Sequence, residues 1–153
     1  MANHCKYITD TFTVEDNDKV YDFNRCIDYI EYHGKAQYGK SFKINQDDCP
    51  TFYKLLIYMI KDQNEAQKLQ IDLSKGILLS GPIGCGKTSI MHLIRPFSFQ
   101  ASDYKIKTCR EVAFEFAKHG YIQKRLTTNP DYPVIVSMTS DDQRPKRGAK
   151  TPN

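Results

Sequence analysis

The chain has 153 residues, 40% of them hydrophobic and 26% charged, which predicts a single globular domain large enough to bury a core. The formal net charge of +4 is mildly basic and does not by itself indicate a nucleic-acid-binding protein. No apolar run approaches the roughly 20 residues of a membrane helix, and the N-terminus "MANHCKYITD" lacks the layout of a secretory signal peptide, so we expect a cytoplasmic protein without a membrane partner.

The sequence of the N-terminal third of the chain predicts a loosely ordered arm followed by one helix. The first 18 residues are polar and offer few apolar anchors. Apolar residues then recur at spacings of three and four, which predicts a helix with Asp18 as its N-cap and Gly34 as its stop. Phe42 and Ile44 alternate with polar residues and predict a brief strand. The apolar positions of the helix are Val20, Phe23, Ile27 and Ile30.

A second helix is predicted from Pro50 onward. Proline suits the first turn of a helix, and Cys49 before it is expected to avoid helical angles. A polar connection, "NEAQKLQIDLS", leads from this helix to the middle of the chain. We therefore expect residues 1–72 to form a helical N-terminal segment. The apolar stripe of the second helix is Phe52, Leu55, Leu56, Met59 and Ile60.

The remaining elements alternate between strands and helices. Short apolar runs predict strands at residues 77–79, 104–107 and 134–138, the last with the β-branched character of a buried parallel strand. Thr108 and Glu111 have the spacing of a capping box and predict the start of a helix. The apolar side of that helix is formed by Val112, Phe114 and Phe116, and its end is predicted at Gly120.

A glycine-rich stretch between the first of these strands and the next helix carries the strongest signal. Residues 81–88, "GPIGCGKT", fit G-x-x-x-x-G-K-[ST] at every fixed position. Glycines let main-chain N–H groups approach a polyphosphate, Lys87 supplies a cation for the β- and γ-phosphates, and the Thr88 hydroxyl is placed to bind Mg²⁺. The predicted nucleotide-binding residues are Gly81, Pro82, Ile83, Gly84, Cys85, Gly86, Lys87, Thr88 and Ser89.

The segment "KGILLSGPIGCGKTS" resembles the Walker A region of AAA+ ATPases, in particular helicase-loader and transposition-helper proteins. The resemblance covers roughly residues 74–121. It implies ATP and Mg²⁺ as cofactors, Lys87 and Thr88 as catalytic residues, and Thr88 as the metal ligand. It further implies DNA or a DNA-bound helicase or transposase as partner, and a homo-oligomer.

The chain departs from that family after its third predicted strand. The family places an acidic pair directly after an apolar strand, whereas here Asp141 and Asp142 arrive two residues late. The expected fold class is therefore α/β, with a partial P-loop NTPase core of about three parallel strands and flanking helices. We expect this core at residues 73–139, truncated after the third strand, after the helical N-terminal segment and before a basic disordered tail at residues 140–153.

The predicted function is nucleoside triphosphate binding, extending to ATP hydrolysis in a DNA-associated role if the missing catalytic elements are supplied. One alternative is a non-hydrolysing truncated remnant or interaction module. The other is a small-molecule kinase, for which Arg95, Arg110 and Arg125 are available but form no recognisable lid. The five cysteines form no CxxC pair, so free thiols are expected: Cys5, Cys26, Cys49, Cys85 and Cys109.

Overall fold

The computed structural model describes residues 5–82, 84–98, 105–119 and 134–139. The chain divides into two compact units. The first, called here the N-terminal unit, contains Met1–Leu73 and Ser89–Ser102; the second contains Ser74–Thr88 and Asp103–Asn153. Within the described ranges, no helix combines the length and the apolar character needed to span a bilayer.

The N-terminal unit opens with a β-hairpin. A 3₁₀ turn at Ile8–Thr11 leads into strand β1 (Phe12–Glu15), which pairs antiparallel with β2 (Asp18–Tyr21). The two linking residues, Asp16 and Asn17, have φ angles of 47° and 75°. Two consecutive positive φ angles are typical of the turn that matches the twist of a hairpin. The prediction of a loose N-terminal arm is therefore wrong for the described residues.

Helix α1 (Phe23–Tyr38) begins four residues later than predicted. Its N-cap is Asp22, whose carboxylate accepts a hydrogen bond from the amide of Arg25 at 2.9 Å. The predicted cap, Asp18, lies in β2 instead, because the strand pairing continues to Tyr21.

The predicted stop of α1 at Gly34 is also wrong. Gly34 is buried within the helix, and a Cβ there would overlap the ring of Phe42. The helix ends before Gly39, which has a φ of 103°. Ile44 and Phe42 lie in irregular chain, so the brief strand predicted there is wrong too.

Two further helices follow, α2 (Cys49–Ile60) and α3 (Gln63–Lys68), and α2 supplies more buried residues than any other described element of this unit. The prediction of α2 is confirmed, with Pro50 in its first turn, although Cys49 adopts helical angles contrary to expectation. Helix α3 replaces the predicted polar connection, and Asp62 caps it by accepting from the amide of Glu65. The buried residues of α2 are Phe52, Leu55, Leu56, Ile57, Tyr58 and Met59.

The helix after the glycine-rich loop, α4 (Lys87–Leu93), is followed by a 3₁₀ turn at Arg95–Phe97. Phe97 is buried and forms aromatic contacts with Tyr21 and Tyr29, at centroid distances of 6.2 and 5.5 Å. These contacts tie the turn to the hairpin and to α1.

The described residues of the second unit form three strands: β3 (Ile77–Gly81), β4 (Lys105–Thr108) and β5 (Val134–Thr139). Their order is β3-β5-β4, and β5 runs parallel to both neighbours. The three strands lie at the predicted places in the sequence to within one or two residues.

Helix α5 (Cys109–His119) begins with the predicted capping box. The Thr108 hydroxyl accepts from the Glu111 amide at 3.2 Å, and the Glu111 carboxylate accepts from the Thr108 amide at 2.6 Å. Phe114 and Phe116 are 68% and 55% exposed, so the predicted apolar side of this helix is not a buried face.

The predicted fold class is wrong. A P-loop NTPase core requires a parallel sheet covered by helices, since parallel sheets are stable when both faces are buried. The described residues show no such covered sheet: the side chains of β3 alternate between half-buried and exposed, with Leu78 59% exposed. Most of α4 groups with the N-terminal unit rather than with the strands. The N-terminal segment predicted as helical also contains the antiparallel pair of β1 and β2.

Candidate functional site

The candidate site lies where β3 ends and the glycine-rich loop begins. Gly81 is the last residue of β3 and pairs with Thr139 of β5. A Cβ at Gly81 would lie 3.1 Å from the sulfur of Cys85, which is closer than ordinary van der Waals contact. Glycine at this position therefore lets the loop fold back against the end of the strand.

Two other glycines give the loop its shape. Gly84 has a φ of 78° and Gly86 a φ of 82°, both in the left-handed region that favours glycine. Between them, the Cys85 amide donates a weak hydrogen bond to the carbonyl of Pro82 at 3.4 Å. The two glycines thus make a tight bend that turns the chain from strand to helix.

Lys87 occupies the inside of this bend. Its side chain is only 7% exposed, and its ammonium group donates to the carbonyl of Gly81 at 3.0 Å and to that of Pro82 at 2.7 Å. The sulfur of Cys85 lies 3.5 Å from the same nitrogen. The loop therefore surrounds the ammonium group of its own lysine, Lys87.

The partners of Lys87 leave its charge uncompensated. The two carbonyl groups are neutral, and the ion pairs formed among the described residues involve other lysines. A buried charge without a counter-charge is unfavourable, and proteins normally pair such groups. An anion reaching the loop would therefore gain a strong interaction with this ammonium group.

The other predicted site residues lie around the lysine in sequence. Pro82, Cys85 and Thr88 are exposed, and Ser89 is half-buried. Thr88 is the second residue of α4 and lies at the exposed start of the helix. Ile83 lies outside the described residues.

The family that the loop resembles has an acidic pair beside the nucleotide, and the chain's candidates for it come after the third strand. Asp141 and Asp142 fall outside the described residues. Within the part of the chain that the structure describes, no three His, Cys, Asp or Glu side chains form a cluster suited to a metal ion. Mg²⁺ bound to a nucleotide commonly uses phosphate oxygens, water and one or two protein ligands, so Thr88 stays the predicted protein ligand.

Comparison with known proteins adds no further support: no protein-family model, no curated protein and no solved structure matches the chain. The resemblance to AAA+ ATPases therefore rests on the residues of the loop and its flanks, and it stays a prediction.

Sequence reasoning missed a second feature, a cavity beside the hairpin of the N-terminal unit. Phe12 and Tyr21 pair across the hairpin and line this cavity. The signal was present in "FTVEDNDKVY", where Asp16 and Asn17, both good turn residues, separate two short runs with β-branched residues. The helical spacing of Val20 and the residues after it obscured that signal.

Proposed function

We propose that the loop from Gly81 to Thr88 binds the polyphosphate group of a nucleoside triphosphate, with ATP and Mg²⁺ as the natural pair. The observation that carries the proposal is the buried ammonium group of Lys87, which lies inside the loop. Among the described residues, its hydrogen-bond acceptors are neutral groups, including the carbonyls of Gly81 and Pro82. A phosphate group would supply the missing negative charge.

The conformation of the loop supports the same ligand. Positive φ angles at Gly84 and Gly86 change the direction of successive main-chain N–H groups within a few residues. Consecutive N–H groups in such a conformation form concave anion-binding sites in many proteins. The loop thus combines main-chain donors with one cation, which is the chemistry that a polyphosphate requires.

ATP with Mg²⁺ is preferred over a simple phosphate ion because of the residue that follows the lysine. Thr88 is exposed, and a hydroxyl group at this position of a Walker A loop binds the ion that bridges the β- and γ-phosphates. ATP hydrolysis, a homo-oligomer, and DNA or a DNA-bound helicase or transposase as partner are further implications of the resemblance. The turnover measurements below test the first of them, ATP hydrolysis.

The test is a titration of a fluorescent ATP analogue, followed by anisotropy, with and without Mg²⁺. Lys87→Met preserves most of the length of the side chain while removing its charge. We expect a ten- to hundredfold loss of affinity, because hydrogen bonds to charged groups contribute about 1.5–3 kcal/mol. Lys40→Met, at an exposed lysine in the other unit, is the matched control and should bind like the wild type.

A variant at Thr88 separates the contribution of Mg²⁺ to the affinity for ATP from the contribution of the phosphate groups. Thr88→Val retains the shape of the side chain but loses its hydroxyl group, so the gain in affinity from Mg²⁺ should shrink while metal-free binding stays unchanged. Equal affinities for wild type and Lys87→Met, with both variants folded by circular dichroism, contradict the proposal.

Thiol chemistry gives an independent readout. Cys85 is exposed within the loop, whereas burial raises the pKa of the Cys26 thiol to about 12 and makes it a poor nucleophile. Alkylation followed by mass spectrometry should therefore modify Cys85 readily, and Mg·ATP should slow that reaction. Unchanged modification of Cys85 at saturating ATP would show that the nucleotide binds elsewhere.

Turnover measurements distinguish the remaining alternatives. ADP release by the chain alone, abolished by Lys87→Met, supports an ATPase. Binding without turnover supports the non-hydrolysing module, and turnover only in the presence of a nucleoside, nucleotide or sugar supports a kinase. Each of these outcomes retains nucleotide binding at the loop as its common step.

A further inference from the structure

The N-terminal unit contains a cavity of about 780 Å³ that no feature of the nucleotide proposal uses. A second cavity of about 290 Å³ adjoins it, and both have Lys19, Tyr21, Ile60 and Asp62 in their walls. Sites for small molecules typically enclose about 300–1,000 Å³, so the larger cavity has the size of a ligand site.

One wall of the larger cavity is aromatic. The ring of Tyr21 lies between those of Phe12 and Phe97, at centroid distances of 5.2 and 6.2 Å, and all three residues line the cavity. Phe97 is buried, whereas Phe12 and Tyr21 are half-buried and so retain accessible ring surface. Aromatic rings favour offset or edge contacts with a planar aromatic partner.

Two lysines belong to the wall of the larger cavity, Lys19 and Lys61. The ammonium of Lys19 lies 4.9 Å from the centroid of the Phe12 ring. That of Lys61 donates to the carbonyl of Leu73 at 2.9 Å and lies 4.0 Å from the centroid of the Tyr58 ring. Burial lowers the pKa of Lys61, which indicates an ammonium group poorly solvated by water.

The two acidic residues in the wall, Asp18 and Asp62, form no ion pair with these lysines among the described residues. Along a strand, successive side chains point to opposite faces, so the side chain of Asp18 lies on the other face of β2 from that of Lys19. The carboxylate of Asp62 accepts from the Glu65 amide at 3.0 Å and so caps α3. Among the described residues, the ion pairs of the N-terminal unit involve neither Lys19 nor Lys61.

We propose that this cavity binds a small planar aromatic carboxylate, with its ring against Phe12 and Tyr21 and its carboxylate near the ammonium group of Lys19. The aromatic wall accounts for the ring, and the ammonium of Lys19, which forms no ion pair among the described residues, accounts for the negative charge. The site is separate from the loop that contains Lys87, so neither proposal depends on the other.

The experiment uses 2-naphthoate as probe and follows its binding to the full chain by isothermal titration calorimetry. 2-Naphthamide has the same ring without the charge, and cyclohexanecarboxylate has the charge without an aromatic ring. We expect 2-naphthoate to bind at least about tenfold more tightly than either comparison compound, since a difference of tenfold corresponds to about 1.4 kcal/mol.

Two variants locate the site. Lys19→Met, at an exposed residue, should weaken 2-naphthoate about tenfold and leave 2-naphthamide unchanged, while the control Lys40→Met changes neither. Phe12→Leu should weaken both naphthyl compounds. Equal affinity for the acid and the amide, no binding at millimolar concentration, or a Lys19→Met variant that binds like the wild type overturns the proposal. Loss of 2-naphthoate binding in Lys87→Met also overturns it, because the probe would then occupy the glycine-rich loop.

Discussion

The buried glycine of α1 allows a quantitative test of how this helix packs. Replacing Gly34 with alanine adds a methyl group where the ring of Phe42 lies, and the added Cβ would overlap ring atoms. Alanine favours a helix over glycine by about 1 kcal/mol, whereas overpacking costs about 1–3 kcal/mol. The steric effect is the larger of the two, so Gly34→Ala should lower the free energy of unfolding by up to about 2 kcal/mol.

A double-mutant cycle isolates this contact. In a Phe42→Ala background the overlapping ring is absent, and Gly34→Ala should then stabilise the protein by about 1 kcal/mol through helix propensity alone. Urea unfolding of the four proteins, followed by circular dichroism, measures both differences. The sign of the Gly34→Ala effect should reverse between the two backgrounds. The same effect in both backgrounds would refute the contact between this glycine and the ring.

Three further stability predictions concern the N-terminal unit. Asp22→Ala removes the side-chain cap of α1 and should lower the free energy of unfolding in urea by about 1 kcal/mol, whereas Asp22→Asn should lower it less. Phe97→Ala should lower it by about 3–5 kcal/mol, because the ring is 2% exposed; a loss below 1 kcal/mol would show that the ring is not part of the core. Burial raises the pKa of Glu31, but hydrogen bonds from the Ile44 amide and from Lys35 outweigh burial and hold the pKa below its ordinary value of 4.5. The ionised carboxylate therefore stabilises the fold above pH 4.5, and the advantage of wild type over Glu31→Gln should disappear as the pH falls below that value; a difference independent of pH would contradict this.

Elements with strong local signals were predictable from the sequence. Pro50 and the apolar residues after it place α2 correctly, and the pair Thr108 and Glu111 marks the start of α5. In both cases the deciding interactions lie within one or two turns of the chain. The strand before the glycine-rich loop was equally clear, because its apolar run ends at Leu79, two residues before a glycine.

Elements decided by contacts distant in sequence were not predictable. Val20 fits both the helical spacing that continues to Phe23 and the alternation of a hairpin, and the pairing of Val20 with Thr13 favours the hairpin. From the sequence alone, Gly34 predicts the end of a helix. The structure shows instead that glycine is needed there because the ring of Phe42 packs against it. The exposure of β3 among the described residues likewise depends on packing that no local pattern encodes.

The candidate site was predictable in its residues but not in its present interactions. The spacing of the motif identifies Lys87, and the structure places that side chain inside the loop. The carbonyl groups of Gly81 and Pro82 that hold the ammonium were not foreseen, because sequence spacing carries no information on which main-chain acceptors a lysine reaches. The cationic, aromatic cavity beside Phe12 also escaped prediction, since its walls come from separate elements.

Binding of the phosphates by the loop is tested most directly by NMR of protein labelled with ¹⁵N only at glycine, since the chain contains just eight glycines. On addition of Mg·ATP, the amide signals of Gly84 and Gly86 should shift, and those of Gly34 and Gly39 should stay in place. The shifts should be absent in Lys87→Met. Unchanged signals from Gly84 and Gly86 at saturating nucleotide would contradict phosphate binding by this loop.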